Sequence, residues 1–433
     1  MREDEELIRT KRKKNRRVKK KRAPDTGVGG GEQTLAASRV KLELGPDDPK
    51  VNGYYIAAAD RYRRARYVSF ILLIAFLIVM LLFFRENITY SNMVYLLKDL
   101  DADSAVTAGS FADFSYDRQY SVSFGMFRGR VAMVGNSSFS LYNSTGSRDL
   151  SVDEAMGTPR MATGDKYALA YDAGGTNYAL YTSVARIKSG ESDEIIEDGA
   201  VADDGTFALL TRSDSSKYLV TVYDSDFRTI VRYYKDKYVT DIALSPDGGT
   251  LAVASAQVAA SEVSGELSFT KVGSEEAQSI SVSGSMPIGV RYTDDGTLVL
   301  MCDNALILYR GGEQIARIDF DGKIPGYYDV STNRIAVCFS LNALGSENDL
   351  TLFDTEGNIL YNIGISEKVD MIAGDGAYYL YALCEDRVIR YDTAADESVE
   401  EQVRGTVLDM LPTGGGPLLV CTGDSAYSLF GAG

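Results

Sequence analysis

The sequence predicts an all-β fold, an eight-bladed β-propeller that follows one transmembrane α-helix and a disordered basic N-terminal tail. Three observations predict it. An aromatic closes a short apolar strand at Tyr142, Tyr181, Tyr223, Phe269, Tyr309, Phe353, Tyr391 and Phe430, at spacings of 38 to 46 residues. That is the period of a four-stranded propeller blade. Upstream of most of these aromatics lies a strand, an Asp-Gly turn and a second strand: VADDGTFALLT (201–211), ALSPDGGTLAVAS (243–255), YTDDGTLVLMC (292–302) and IAGDGAYYLYALC (372–384). Asp-Gly between apolar runs is a strong hairpin signal, because glycine enters the positive-φ region at no steric cost. The third observation is the uncharged run Val68 to Phe84, 17 residues between Arg66 and Arg85. As a helix it spans about 25 Å, enough to cross most of a bilayer core.

That run divides the chain into five parts. Residues 1–53 read as a disordered basic cytoplasmic tail, almost wholly cationic from Lys11 to Arg22 and glycine-rich from Gly27 to Gly31. Such a tail serves as a topogenic signal or meets anionic lipid or nucleic acid, and the first reading is preferred because the basic block stands about 45 residues before the span. Residues 54–67 (YYIAAADRYRRARY) form a juxtamembrane helix continuous with the span at 68–84. A secretory signal is disfavoured, since the tail is too long and no small-x-small cleavage pattern follows Phe84. Residues 85–109 form a stalk in which Ser91 caps a short helix from Asn92 to Leu100.

Residues 110–433 form the propeller. Before the span, residues 1–66 carry 19 Lys+Arg against 10 Asp+Glu; after it the counts are 26 and 51. The positive flank sets a single-pass type II topology in the cell membrane, with an extracytoplasmic C-terminal domain. Because the chain stops just after a third strand, the last blade lacks an outer one, and Ser110 to Tyr116 (SFADFSY) are spare to supply it. The count becomes seven if the fourth unit, whose Phe269 stands in the weaker context SFTKVG, is irregular.

The stretches ITYSNMVYLLKDLD (88–101), YALAYDAGGTNYALY (167–181) and VTVYDSDFRTIVRYYKDKYVTDIALSPDGGTLAVAS (220–255) resemble an uncharacterised family of single-pass membrane-anchored proteins from Gram-positive bacteria. Its members carry a propeller-like domain of unknown function. The resemblance implies topology and fold and assigns no catalytic residue.

Chemistry is limited by composition. The chain has no His and no Trp. Ser-His-Asp and Cys-His catalysis, and histidine-held zinc or haem, are therefore excluded. A carboxylate mechanism with a hard cation such as Ca²⁺ survives, but no pair of acids stands out. The sequence thus singles out no catalytic, cofactor or metal residue, and a non-enzyme is expected. First and third turns share a face of the ring, which places Asp203, Asp204, Asp247, Asp294, Asp295 and Asp375 beside Asp224, Asp226, Asp354, Glu356 and Asp392. Such a face either binds cations or a basic partner, or reflects the aptitude of Asp for turns, which is preferred.

On the opposite face, long loops are expected at Ala256 to Gly265 in the fourth blade and Ser340 to Asn348 in the sixth. Cys302, Cys338, Cys384 and Cys421 are even in number, as two disulfides would need, but each lies on the second strand of a separate blade, which favours free thiols. The sequons at Asn87, Asn136 and Asn143 matter only in a eukaryotic secretory pathway, which is not expected. The reading is a non-catalytic interaction or scaffold module of the bacterial cell envelope, with a protein partner there and no nucleic acid. The alternative is a ligand- or metal-binding, carboxylate/Ca-dependent hydrolytic propeller.

Overall fold

The computed structural model describes residues 53–83 and 111–431, apart from 260, 261 and 275. The basic tail, Phe84, the stalk with its short helix, Ser110 and the sequon at Asn87 lie outside the described residues. The chain divides into two compact units, Met1–Arg85 and Glu86–Gly433. In the first, one helix, Gly53–Phe83, runs without a break from the Ala/Arg-rich stretch into the apolar one. Side chains are described continuously only over 61–76, and among the described residues no helix is long and apolar enough to cross a membrane.

The second unit is built from eight antiparallel four-stranded sheets. Blades 1 to 7 cover residues 122–153, 159–191, 196–235, 238–283, 287–319, 324–365 and 371–402, each in the order inner, second, third, outer strand. The fourth is regular, so the count is eight; Phe269 packs edge-on against Tyr309 of blade 5, ring centroids 5.6 Å apart. Every punctuating aromatic lies in a third strand, except Phe430, which follows Ser425–Leu429 by one residue.

Blade 8 takes its three inner strands from 409–429 and its outer one from Phe114–Ser115, which pair with Ala426 and Ser425. Tyr116 extends the seam, its N–H on the Asp424 carbonyl at 3.0 Å and its hydroxyl on the Thr422 carbonyl at 2.5 Å. Phe114 stacks on Tyr142 of blade 1 at 4.4 Å. The N-terminal strand therefore covers the last open edge, as the spare residues predicted.

The alternation of the second and third strands presents an apolar face to each neighbouring blade, and the core is distributed between the blades. Eight buried clusters result, one per interface. The cluster joining Leu419 and Ala426 of blade 8 to Phe124 and Met133 of blade 1 closes the ring. Outer strands alternate half-buried and exposed, as in Arg148–Asp153.

One expectation is corrected. Ala256 to Gly265 is not a loop: strands Thr250–Ala259 and Glu262–Lys271 run on through it, pairing Ala256 with Gly265 and Val258 with Val263. The β-branched residues prolong the ladder past the usual blade edge, so the feature is a projecting hairpin. Ser340 to Asn348 is a loop, braced by Asn348 Nδ2 on the carbonyls of Gly345 and Glu367.

Candidate functional site

The Asp-Gly turns and the third-to-outer-strand turns share one face, and most of their carboxylates are occupied by their own backbone. Asp204 accepts from the N–H of Thr206, Asp375 from those of Ala377 and Tyr379, and Asp224 from those of Asp226 and Arg228. Asp354 accepts from Glu356 and Asn358, and Asp392 from Ala394 and Ala395. Donation by Ser245 and by the Gly249 N–H holds the Asp247 carboxyl below its ordinary range. At Asp295 burial opposes the charge, yet Thr293, Thr297 and Thr355 bring it down to about 2. Gly205 and Gly296 take φ of 86° and 79° in these turns, which is why glycine follows the aspartate.

Asp226 pairs with Arg228, and Glu356 is exposed. Among the described residues no group of three or more His, Cys, Asp or Glu is placed to hold a metal ion. The acidic face is a set of Asx turns. The sequon residues serve likewise: Asn143 accepts from the N–H groups of Thr145 and Ser147, and Asn136 bonds Ser121, Met156 and Gly157.

Asp203 and Asp294 depart from this pattern. Both stand at the mouth of the central channel near Asp165, and burial followed by neighbouring carboxylates raises both pKa values. Asp203 also accepts the Asp165 N–H at 2.6 Å, linking blades 3 and 2.

Below the mouth is a cavity of about 460 Å³ walled by inner strands. Asp198 of blade 3 and Arg291 of blade 5 line it, and Asp241 of blade 4 lies beside both. Asp198 Oδ1 accepts from Tyr171 Oη at 2.8 Å and from the Gly199 N–H. Asp241 Oδ2 accepts from the Val290 N–H at 2.8 Å and from Arg291 Nη1 at 2.7 Å, tying blade 4 to blade 5. Asp329 of blade 6 makes the corresponding tie to the Gly374 N–H of blade 7 at 2.8 Å. Tyr328 lies so close over Gly289 that a β-carbon there would stand 1.8 Å from its hydroxyl oxygen, so any larger residue requires the phenol to move.

Burial, then the adjacent Asp241, pushes Asp198 up to about 6; burial, then Asp329, does the same to Asp409. Burial disfavours the charge of Arg291, but Asp241 outweighs it and raises its pKa. This arrangement can hold a proton on Asp198 in mild acid. Its geometry is that of a clip between blades. The sequence carried a faint signal for it: Asp198 and Asp241 each stand six residues before a turn aspartate, at Asp204 and Asp247, inside the preceding strand.

Cys302, Cys338, Cys384 and Cys421 are buried free thiols, pushed up by burial, to about 12 for Cys302 and Cys338. On the face opposite the Asp-Gly turns, large apolar side chains are exposed in blades 4 to 6: Val263, Met286, Ile324, Leu341 and Leu344, the last 84 % exposed.

The WD40 domain of SCAP from fission yeast has the same fold, with TM-score 0.51 and 9 % identity over 72 % of this chain and 95 % of that one. AztD from Citrobacter koseri (TM-score 0.48, 11 % identity, 69 % and 88 % covered) and Hsv2p from Kluyveromyces lactis (0.45, 11 %, 66 % and 98 %) also align. No curated protein matches the sequence. Residues 111–427 match the model of the Family of unknown function (DUF5711), and the chain belongs to that family.

Proposed function

We propose that this chain is a single-pass membrane protein whose propeller acts outside the cytoplasm as a non-catalytic docking platform in a Gram-positive cell envelope. The observation that carries the docking role is the run of exposed apolar side chains in blades 4 to 6, Ile324 at 64 % and Leu344 at 84 % foremost. Exposed apolar groups gathered on one face of a rigid ring mark a protein contact, and propellers commonly serve as interaction modules. The anchoring role is supported by the helix Gly53–Phe83, where Phe70, Ile71, Leu72 and Phe76 are all more than half exposed although they point to different sides. A helix apolar all round needs lipid or protein about it. The excess of Lys and Arg before Val68 supports a cytoplasmic N-terminus.

The test is cross-linking in native cells followed by purification of the full chain and of the double variant Ile324→Asp/Leu344→Asp. The platform reading expects the same envelope proteins to be lost from the variant with its melting temperature unchanged. An identical recovered set from both contradicts it.

A further inference from the structure

We propose that the cleft between blades 4 and 5 is a binding site for an uncharged or amino saccharide. The cleft encloses about 790 Å³, within the range of small-molecule sites, and opens on the Asp-Gly face. The blade 5 turn that borders it carries no side chain. At the interface of blades 2 and 3 the corresponding turn carries Phe227, which stacks on Tyr178 at 5.3 Å and meets Phe207 edge-on at 5.0 Å. In blade 5 that turn is Gly311-Gly312, so the space beside Phe269 and Tyr309 stays open.

The walls define the ligand. Pro246 and Phe269, over the buried Leu298 and Tyr309, give the cleft an apolar side against which the C–H groups of a pyranose can rest. Around it stand polar groups whose side chains have no hydrogen-bond partner among the described residues: the hydroxyls of Thr250 and Tyr292 and the carboxylate of Asp294. Hydroxyls that donate and accept, with one acceptor carboxylate, match the vicinal hydroxyls of a sugar. A phosphate or carboxylate ligand would meet Asp247, Asp294, Asp295 and Glu276 with only Lys271 in compensation. A basic peptide would leave the hydroxyls and the apolar side unused, and Asp295 is already paired with Arg310 at 3.2 Å.

The experiment is isothermal titration of the full-length chain in a sugar-free zwitterionic detergent, with chitotriose and maltotriose as neutral probes and trigalacturonate and hexalysine as charged ones. Saturable binding of a neutral probe is expected, at least tenfold tighter than trigalacturonate. It should weaken about five- to tenfold in Tyr292→Phe and in Thr250→Val, and disappear in Gln278→Trp, which fills the cleft from the outer strand of blade 4. Silence of both neutral probes, a preference for hexalysine or trigalacturonate, or binding unchanged in the hydroxyl variants overturns the proposal. The two hydroxyl variants keep this test open if Gln278→Trp fails to fold.

Discussion

Replacing Asp198 by Asn should make the propeller more stable at neutral pH. Asp198 is ringed by Asp241, Arg291, Tyr171 and Tyr328, and burial together with the Asp241 charge pushes its carboxyl up to about 6. An unfolded aspartate titrates near 3.9. Between about pH 4 and 6 the folded protein therefore binds this proton more tightly than the unfolded chain, so stability falls as pH rises through that window and stays lower above it. Two units correspond to about 3 kcal/mol, and sharing with Asp241 reduces the portion due to Asp198 to about 1–3 kcal/mol. Asparagine is never charged, and its Oδ1 can still accept from Tyr171 and Gly199.

Thermal unfolding followed by far-UV circular dichroism should therefore place Asp198→Asn about 2–8 °C above wild type at pH 7.5 and level with it at pH 4. Asp409, also near 6, titrates in the same window with the same sign, and burial raises Asp329, Asp203 and Asp294 as well, so the variant should keep a slope shallower than that of wild type. A variant less stable than wild type at pH 7.5, or one with the full slope, would refute the argument.

Deleting 110–116 should lower the melting temperature by more than 10 °C, because it reopens the edge of blade 8 and removes the buried Phe111 and the Phe114 stack; an unchanged melt would deny the seam. Gly289→Ala should cost about 1–3 kcal/mol in urea unfolding, and Tyr328→Phe in the same chain should recover part of it, since the clash is with the phenol oxygen. Alkylation under denaturing, non-reducing conditions should modify all four cysteines in the mass spectrum, whereas a disulfide would protect two.

Much of the architecture was legible because propellers repeat. An aromatic at or just after the third strand recurs in all eight modules, and an Asp-Gly turn reverses the chain at the same place in blades 3, 4, 5 and 7, so Tyr309 and Gly296 report their positions without tertiary information. The edge strand could be inferred because a ring cannot leave blade 8 unpaired. The blade 4 hairpin was misjudged because Ser261 to Gly265 looks like a turn cluster, while the Val258–Val263 pairing that prolongs the ladder is a cross-strand relation.

The inner-strand clips were missed for a related reason. An aspartate in an apolar strand looks the same whether it meets solvent or, as at Asp241, the N–H of the next blade. The cleft is harder still to read, since it depends on what Gly311 and Gly312 do not carry opposite Phe269.

The membrane topology can be tested at one residue. Tyr120 is fully exposed beside the start of blade 1, and the native cysteines are buried, so Tyr120→Cys offers a single reactive thiol on the folded surface. A membrane-impermeant maleimide added to intact cells should label it as fully as it does after lysis. Labelling only after lysis would place the propeller in the cytoplasm and contradict the proposed function.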